Sequence, residues 1–200
     1  MTFQLFIPDK QLRHIDEDRV IFALWVSYVV VFWGLGELLF PKDSQAGLLC
    51  GIVLSCITLF FLVASFFRYQ PLRGTLTGDI EFTMEGIRVN GTFYPFTDIT
   101  AIDFFINDYY GNNASLAQTL TPRLSQGVNN YVKFTDAGGQ EYQYHFKLFS
   151  ANGRRELDPV ISMATAEGKL SLLRGVELLG INNYDEIQQF KARHFKEGDR

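Results

Sequence analysis

Two hundred residues with 47% hydrophobic and 15% aromatic side chains allow one domain with an anchor or one larger domain, and are rich in apolar groups for a water-soluble chain. A net charge of -4 and a pI near 5.4, with no long basic run, give no electrostatic footprint for nucleic acid. The two cysteines, Cys50 and Cys56, stand about 240° apart around a helix and cannot pair within it, so a disulfide scaffold and a thiolate zinc site are both excluded.

Residues 1–19 read as a cytoplasmic N-terminal segment. Val20 to Phe40, VIFALWVSYVVVFWGLGELLF, holds a single charge, Glu37, over about the twenty residues that a helix needs to cross hydrocarbon. After the connector PKDSQ, Ala46 to Phe67 carries no charge at all, which predicts a second span and hence a transmembrane hairpin over 20–67. Two such uniformly apolar helices buried in a soluble core would need a shell that the rest of the chain cannot supply. The acidic run Asp16, Glu17, Asp18 before the first span, and the span's length, argue against a cleaved signal.

Lys10, Arg13 and Arg19 precede the first span, Arg68 and Arg73 follow the second, and the connector has only Lys42; positive residues flank the cytoplasmic ends of spans. Both termini are therefore expected on the cytoplasmic side of the membrane that the hairpin crosses. Gly47, Gly51 and Ser55 recur at intervals of four, a small-residue stripe along which another helix can approach closely. With so short a connector the first span is the expected neighbour, through Gly34 and Gly36, and dimerisation is the alternative. Trp25, Tyr28 and Trp33 serve as interfacial anchors or as packing. Glu37 is the possible intramembrane polar site, although its place one turn before Pro41 suits an interfacial residue that reaches water or Lys42.

From Gly74 the pattern changes to short β runs between turn residues, the mark of an antiparallel sheet. Strands are expected at Thr75 to Thr83, Ile87 to Asn90 and Thr92 to Phe96, with Asn90-Gly91 as a tight hairpin turn. A longer strand follows at Thr97 to Tyr109, then a hairpin of Tyr131 to Thr135 with Glu141 to Lys147. Ile87, Val89, Phe93 and Ile99 are the expected core of the meander, and a fragment from residue 70 to 200 is expected to fold alone. Gly111 to Asn130 lacks apolar periodicity and is either a binding loop, with Tyr109, Tyr110, Asn112 and Arg123 as its candidate residues, or a plain insertion. Asp158-Pro159 predicts a helix start with Asp158 as N-cap and Gly168 as stop. Asn183 opens a last helix, and KLSLLRGVELLGI between them fits a helix or a strand. The expected divisions are thus a β domain over 68–168 and a helical extension over 169–200.

A sheet of this order placed after two spans, with Ile87 to Val89 and the stretch Phe93-Tyr94-Pro95-Phe96-Thr97-Asp98-Ile99, resembles the bacterial pleckstrin-homology-like membrane proteins. The resemblance implies an α+β membrane protein: a two-helix transmembrane hairpin that carries a cytoplasmic PH-like antiparallel sandwich or barrel of about seven strands closed by a helix. The long loop and the second C-terminal helix depart from that pattern.

The chain shows no nucleophile–base pair, metal-ligand spacing or phosphate loop, so no catalytic residue, metal or cofactor is expected. His14, His145 and His194 are scattered, and His145 reads as one strand residue among aromatics. The first turn, Met84-Glu85-Gly86, flanked by Asp79 and Glu81, is acidic where inositol-phosphate-binding PH domains are basic, which argues against phosphoinositide. The expected function is a non-enzymatic, membrane-anchored interaction or regulatory module whose partners are the bilayer and a protein or a second copy. The alternative is a subunit of a channel or transporter assembled through the hairpin.

Overall fold

The computed structural model describes residues 1–9, 17–31, 45–113 and 123–194. The fold is α+β, with a mostly antiparallel set of strands and five α-helices among the described residues. By compactness the chain divides into a sheet unit, Met1–Lys10, Leu72–Asn112 and Gln126–Arg200, and a helical unit, Gln11–Pro71 and Asn113–Ser125. Glu37, Gly34, Gly36, Trp33, His14 and Lys42 lie outside the described residues.

The sheet unit opens with a strand that the sequence reading did not assign. In β1 (Thr2–Pro8) Phe3 and Leu5 point into the core and are 6% and 4% exposed, while Gln4 between them is exposed. β2 (Gly74–Phe82) pairs with it in antiparallel register from Thr2↔Glu81 to Pro8↔Gly74. β3 (Gly86–Val89) and β4 (Thr92–Pro95) follow as a hairpin. After a 3-10 turn at Phe96–Asp98 come β5 (Ile99–Phe105) and two short strands, β6 (Tyr110–Asn113) and β7 (Leu124–Gln126). β8 (Asn130–Asp136) and β9 (Glu141–Lys147) form the last hairpin. Seven strands make one sheet in the order β4-β3-β2-β1-β9-β8-β5. β1 therefore lies at its centre, between β2 and β9. The fragment from residue 70 to 200 lacks this central strand.

The register of the β3–β4 hairpin corrects one core assignment. Asn90 and Gly91 take positive φ of 47° and 84°, as a two-residue primed turn requires, and this sets Val89 opposite Thr92, Arg88 opposite Phe93 and Ile87 opposite Tyr94. Ile87, Val89 and Ile99 are buried as expected, whereas Phe93 is 39% exposed with the Arg88 guanidinium 5.5 Å from its ring centre. Tyr94 takes the inward place, 5.1 Å from the rings of Phe134 and Tyr142.

The inward faces of the strands meet a helix. A 3-10 turn at Ala151–Leu157, capped by the Ser150 hydroxyl accepting from the Gly153 amide, runs directly into the helix Asp158–Ala166, so Leu157 rather than Asp158 is the N-cap residue. In chain order the described α-helices are α1 (Glu17–Val29), α2 (Ala46–Ser65), α3 (Asp158–Ala166), α4 (Leu172–Leu179) and α5 (Tyr184–His194). Leu157, Val160, Ile161 and Ala164 join Phe82, Phe104, Phe134 and Phe146 in one core, where each large side chain contributes about 1.5–3 kcal/mol by leaving water. The ambiguous leucine-rich segment is the helix α4, capped by Ser171 and ended by Gly180 in the left-handed conformation. Gly175 lets it approach α3, since a Cβ there would stand 2.3 Å from the Thr165 hydroxyl oxygen.

Residues after 168 are part of the same unit. The Lys169 carbonyl accepts from the Ile102 amide, and the Lys169 ammonium donates to the Phe96 carbonyl. Arg174 reaches Asp103 at 2.9 Å and donates to the Phe104 carbonyl at 2.7 Å. These contacts cover the outer edge of β5, which would otherwise present unpaired strand groups. The Asn183 side chain accepts from the Asp185 amide at the start of α5, as its sequence predicted.

Candidate functional site

The helical unit is held by polar contacts among apolar side chains. The Trp25 indole donates to the Thr58 hydroxyl at 3.1 Å, and the Tyr28 hydroxyl donates to the Gly47 carbonyl at 3.2 Å. A Cβ on Gly51 would sit 2.7 Å from the Tyr28 oxygen. Two members of the small-residue stripe, Gly47 and Gly51, thus face α1, and both meet Tyr28. Ser55 is exposed and donates to the Gly51 carbonyl of its own helix. Trp25 and Tyr28 are packing residues in this pair, with their rings in edge contact at 5.9 Å.

Elsewhere α2 presents large apolar groups to its surroundings. Leu48, Leu49, Ile52, Val53, Leu59, Phe60 and Val63 are each at least 50% exposed, and none of the stretch Gly47–Ala64 is buried. Cys50 and Cys56 are free and exposed on the same helix. This is the one described helix long and apolar enough to cross a membrane; α1 contributes a shorter apolar run, Arg19–Val29.

Of the candidate loop residues, Tyr109, Tyr110 and Asn112 stand on one arm, in the sheet unit, while Arg123 belongs to the helical unit. Tyr109 packs against the core. Tyr110 is exposed, with the Lys147 ammonium 4.7 Å from its ring centre and 5.0 Å from that of Phe149. The Asn112 amide donates to the Tyr109 carbonyl at 3.0 Å. The arm is fastened by residues that the sequence reading passed over. Asn130 is fully buried; its side-chain oxygen accepts from the amides of Asn107 and Asp108, and its nitrogen donates to the Gly127 carbonyl at 3.0 Å. The Asp108 carboxylate accepts from the Asn129 amide at 3.2 Å. Gly127 has φ of 71° and no space, because a Cβ would meet the Leu148 carbonyl oxygen at 2.3 Å and the Tyr110 nitrogen at 2.4 Å.

The other arm returns to the helical unit. The Leu124 amide donates to the Arg68 carbonyl and its carbonyl accepts from the Gln70 amide, both at 2.8 Å, so that Leu124 and Tyr69 form a parallel bridge just beyond the end of α2.

Burial shifts several titratable side chains of the sheet unit, His145 and Tyr144 among them. Burial lowers the His145 imidazole from its ordinary value; its Nε2 lies 3.1 Å from the Gln143 amide nitrogen, which suits an unprotonated ring accepting a hydrogen bond. Burial, then the Tyr94 hydroxyl at 3.2 Å, raises the Tyr144 phenol. Among the described residues, no group of three or more His, Cys, Asp or Glu side chains could hold a metal ion. No protein-family model, curated protein or solved structure matches the chain.

Proposed function

We propose that the chain is a membrane-anchored interaction module of the bacterial plasma membrane, in which residues 10–72 cross the bilayer twice and the sheet unit stands on the cytoplasmic side. One observation carries the reading. The segment that holds α1 and α2 leaves the sheet at Pro8 and re-enters it at Gly74, and these two residues are paired neighbours; the Asp9 amide donates to the Arg73 carbonyl at 3.0 Å. An insert whose ends meet in one sheet begins and ends on one side of any membrane it enters, so the number of crossings is even. α2, with 20 residues, is about 30 Å long at 1.5 Å per residue, the thickness of the hydrocarbon layer. Its exposed leucines, valines and phenylalanine have no soluble core to enter, which supports lipid as their solvent. The return crossing then falls to the stretch that starts with α1, in agreement with the charge-poor run Val20 to Phe40.

The seven-stranded sheet with α3 on its core face supports the resemblance to the pleckstrin-homology-like membrane proteins, and with it a binding role for the sheet unit. Asp108 and Asn130 are engaged with backbone groups, and Arg174 with the Phe104 carbonyl and the Asp103 and Glu177 carboxylates, which favours a module that binds over one that catalyses. Cysteines placed singly at positions 43 and 138 of a Cys50- and Cys56-free chain test the reading. Position 43 is expected to react with an impermeant maleimide in intact cells, and position 138 only after permeabilisation. Labelling of both positions from the same side would refute the double crossing.

A further inference from the structure

The two edges of the seven-stranded sheet are treated differently. β5 at one edge is covered by the residues after 168, through the Lys169 carbonyl that accepts from the Ile102 amide and through Arg174 on the Phe104 carbonyl. β4 at the other edge pairs with β3 alone among the described residues. An uncovered edge is a template for a further strand, so the groups that β4 turns outward decide what adds to it.

The hairpin register names those groups. Asn90 and Gly91 form a two-residue primed turn, which makes Val89 and Thr92 a hydrogen-bonded pair. Such pairs alternate along an antiparallel ladder, so Ile87 and Tyr94 are the next. The Phe96 amide, which donates to the Glu85 carbonyl at 2.9 Å, continues the series and confirms its phase. Phe93 and Pro95 fall between these pairs, and their backbone groups point away from β3. Pro95 has no N–H, which leaves Phe93 as the one residue of β4 that offers both a donor and an acceptor at the open edge.

The Phe93 side chain is exposed as well. Its ring lies on the face opposite to the buried Ile87 and Val89, with the Arg88 guanidinium 5.5 Å from its centre. Its Cζ stands next to Gly86, where a Cβ would be only 2.9 Å away. Arg88 is paired with Glu81 at 2.7 Å, so the charge beside the ring is neutralised within the chain.

We propose that β4 is a self-association site, to which a second copy of the chain adds its own β4 in antiparallel register about a two-fold axis at Phe93. In that register the Phe93 amide of each copy donates to the Phe93 carbonyl of the other, and the two exposed rings cover one another. Thr92 then stands opposite Tyr94, and Pro95 opposite Gly91. The proline ring meets no side chain there, and no atom lies within 4 Å of the place where a Cβ on Gly91 would be. A slide of two residues one way sets Phe93 against Pro95, which cannot donate; the other way sets it against Gly91, which is bent into the turn at φ of 84°. An interface about a two-fold axis requires a patch complementary to itself, and Phe93 carries donor, acceptor and apolar surface at one point. A second copy thus supplies each needed group in its place. This deepens the reading of the chain as an interaction module by naming its partner, and rests on that reading.

The test uses the full-length chain, free of Cys50 and Cys56, in detergent micelles. Phe93→Cys sets two sulfurs at the axis on Cα atoms about 5.5 Å apart, within the span of a disulfide. Gln143→Cys, at an exposed position of β9 away from either edge, is the control. Mild oxidation is expected to cross-link the first and not the second. Sedimentation velocity then compares chains that keep Phe93 with two variants. Phe93→Pro removes the outward N–H and touches no hydrogen bond of the hairpin; Phe93→Lys keeps the N–H but places two ammonium groups beside the axis. Each is expected to weaken the dimer at least about ten-fold. A chain with Phe93 that stays monomeric at about 100 µM would overturn the proposal and leave the edge to a strand of another protein. Equal cross-linking at positions 93 and 143 would overturn it too, as would a dimer that both variants leave unchanged, because that dimer would be made elsewhere. Should Phe93→Pro fail to fold, Phe93→Lys decides alone. Labelling at positions 43 and 138 is read separately, so failure of the β4 contact and failure of the membrane anchor are told apart.

Discussion

Excision of residues 10–72, with residue 9 joined to residue 73 through a two-residue Asn-Gly turn, should give a sheet unit that folds in water, whereas a chain of residues 72–200 should not. The geometry for the junction exists already, because Pro8 and Gly74 are paired and the Asp9 amide donates to the Arg73 carbonyl. The difference between the two proteins is β1. Phe3, Leu5 and Phe6 are 6%, 4% and 7% exposed, and at about 1.5–3 kcal/mol for each buried side chain their loss costs about 5–9 kcal/mol. That equals most of the about 5–15 kcal/mol by which a domain is stable. Removing β1 also parts β2 from β9 and leaves two strand edges unpaired in the middle of the sheet. Far-ultraviolet circular dichroism and thermal melting of the two purified proteins provide the assay. The expected result is a cooperative, β-rich melt for the joined protein and an aggregated or non-cooperative 72–200 chain. If the 72–200 chain melts cooperatively within about 5 °C of the joined protein, β1 is not integral to the sheet and the argument from paired ends fails with it.

Four further outcomes follow from single contacts. Gly51→Leu should lower the melting temperature of the detergent-solubilised protein, since any side chain there meets Tyr28; an unchanged melt would mean that the helices do not close at that point. Phe93→Ala should cost less than about 1 kcal/mol while Phe82→Ala costs about 3–5 kcal/mol, because the first ring is 39% exposed and the second fully buried; equal losses in denaturant titrations of the joined sheet unit would refute the hairpin register. Gly127→Ala should destabilise that protein by more than about 1–3 kcal/mol, from its left-handed φ together with contacts at 2.3 and 2.4 Å, whereas Gly139→Ala, with the same sign of φ and open space, costs only the strain; similar losses would contradict the close approach at Gly127. Burial holds the His145 pKa below its ordinary 6.5. As the pH falls through that value the unfolded chain takes up the proton first, so the stabilisation is whole above 6.5 and declines below it until the folded protein protonates too. A His145→Gln variant should lose that share of the acid sensitivity, and a difference in melting temperature that stays constant from about pH 8 to about pH 5 would refute the assignment.

The parts of the fold that were legible in the sequence are those whose cause is local. Asn90-Gly91 announces its turn by backbone chemistry, and Glu141 to Lys147 alternates beside its own hairpin partner, so both strands were read nearly to the residue. Ser171 and Gly180 bracket α4 as cap and stop, yet the leucines between them satisfied either period. β1 is not legible locally although Phe3, Gln4 and Leu5 alternate, because its partners are Gly74–Phe82 and the end of β9, far along the chain. Phe93 was misplaced for a different reason. A two-residue turn puts Phe93 opposite Arg88, and the charge on Arg88 already tells which face is wet; the register rule held the answer, and apolar character alone did not. At the loop, Asn and Ser content cannot distinguish a half-buried Asn112 from a fully buried Asn130, whose partners are backbone groups of Asn107, Asp108 and Gly127. Burial of that kind is decided by tertiary position.

The place of the insert has a consequence for assembly. β1 is made first, but its partners arrive only after residues 10–72, and its pairing with β9 joins residues about 140 positions apart; closing so long a loop delays the contact. Until β9 is available, Phe3, Leu5 and Phe6 have at most one sheet neighbour, β2. The two arms of the loop after β6 are each held by backbone hydrogen bonds, Tyr110 to Leu148 on one side and Leu124 to Arg68 and Gln70 on the other.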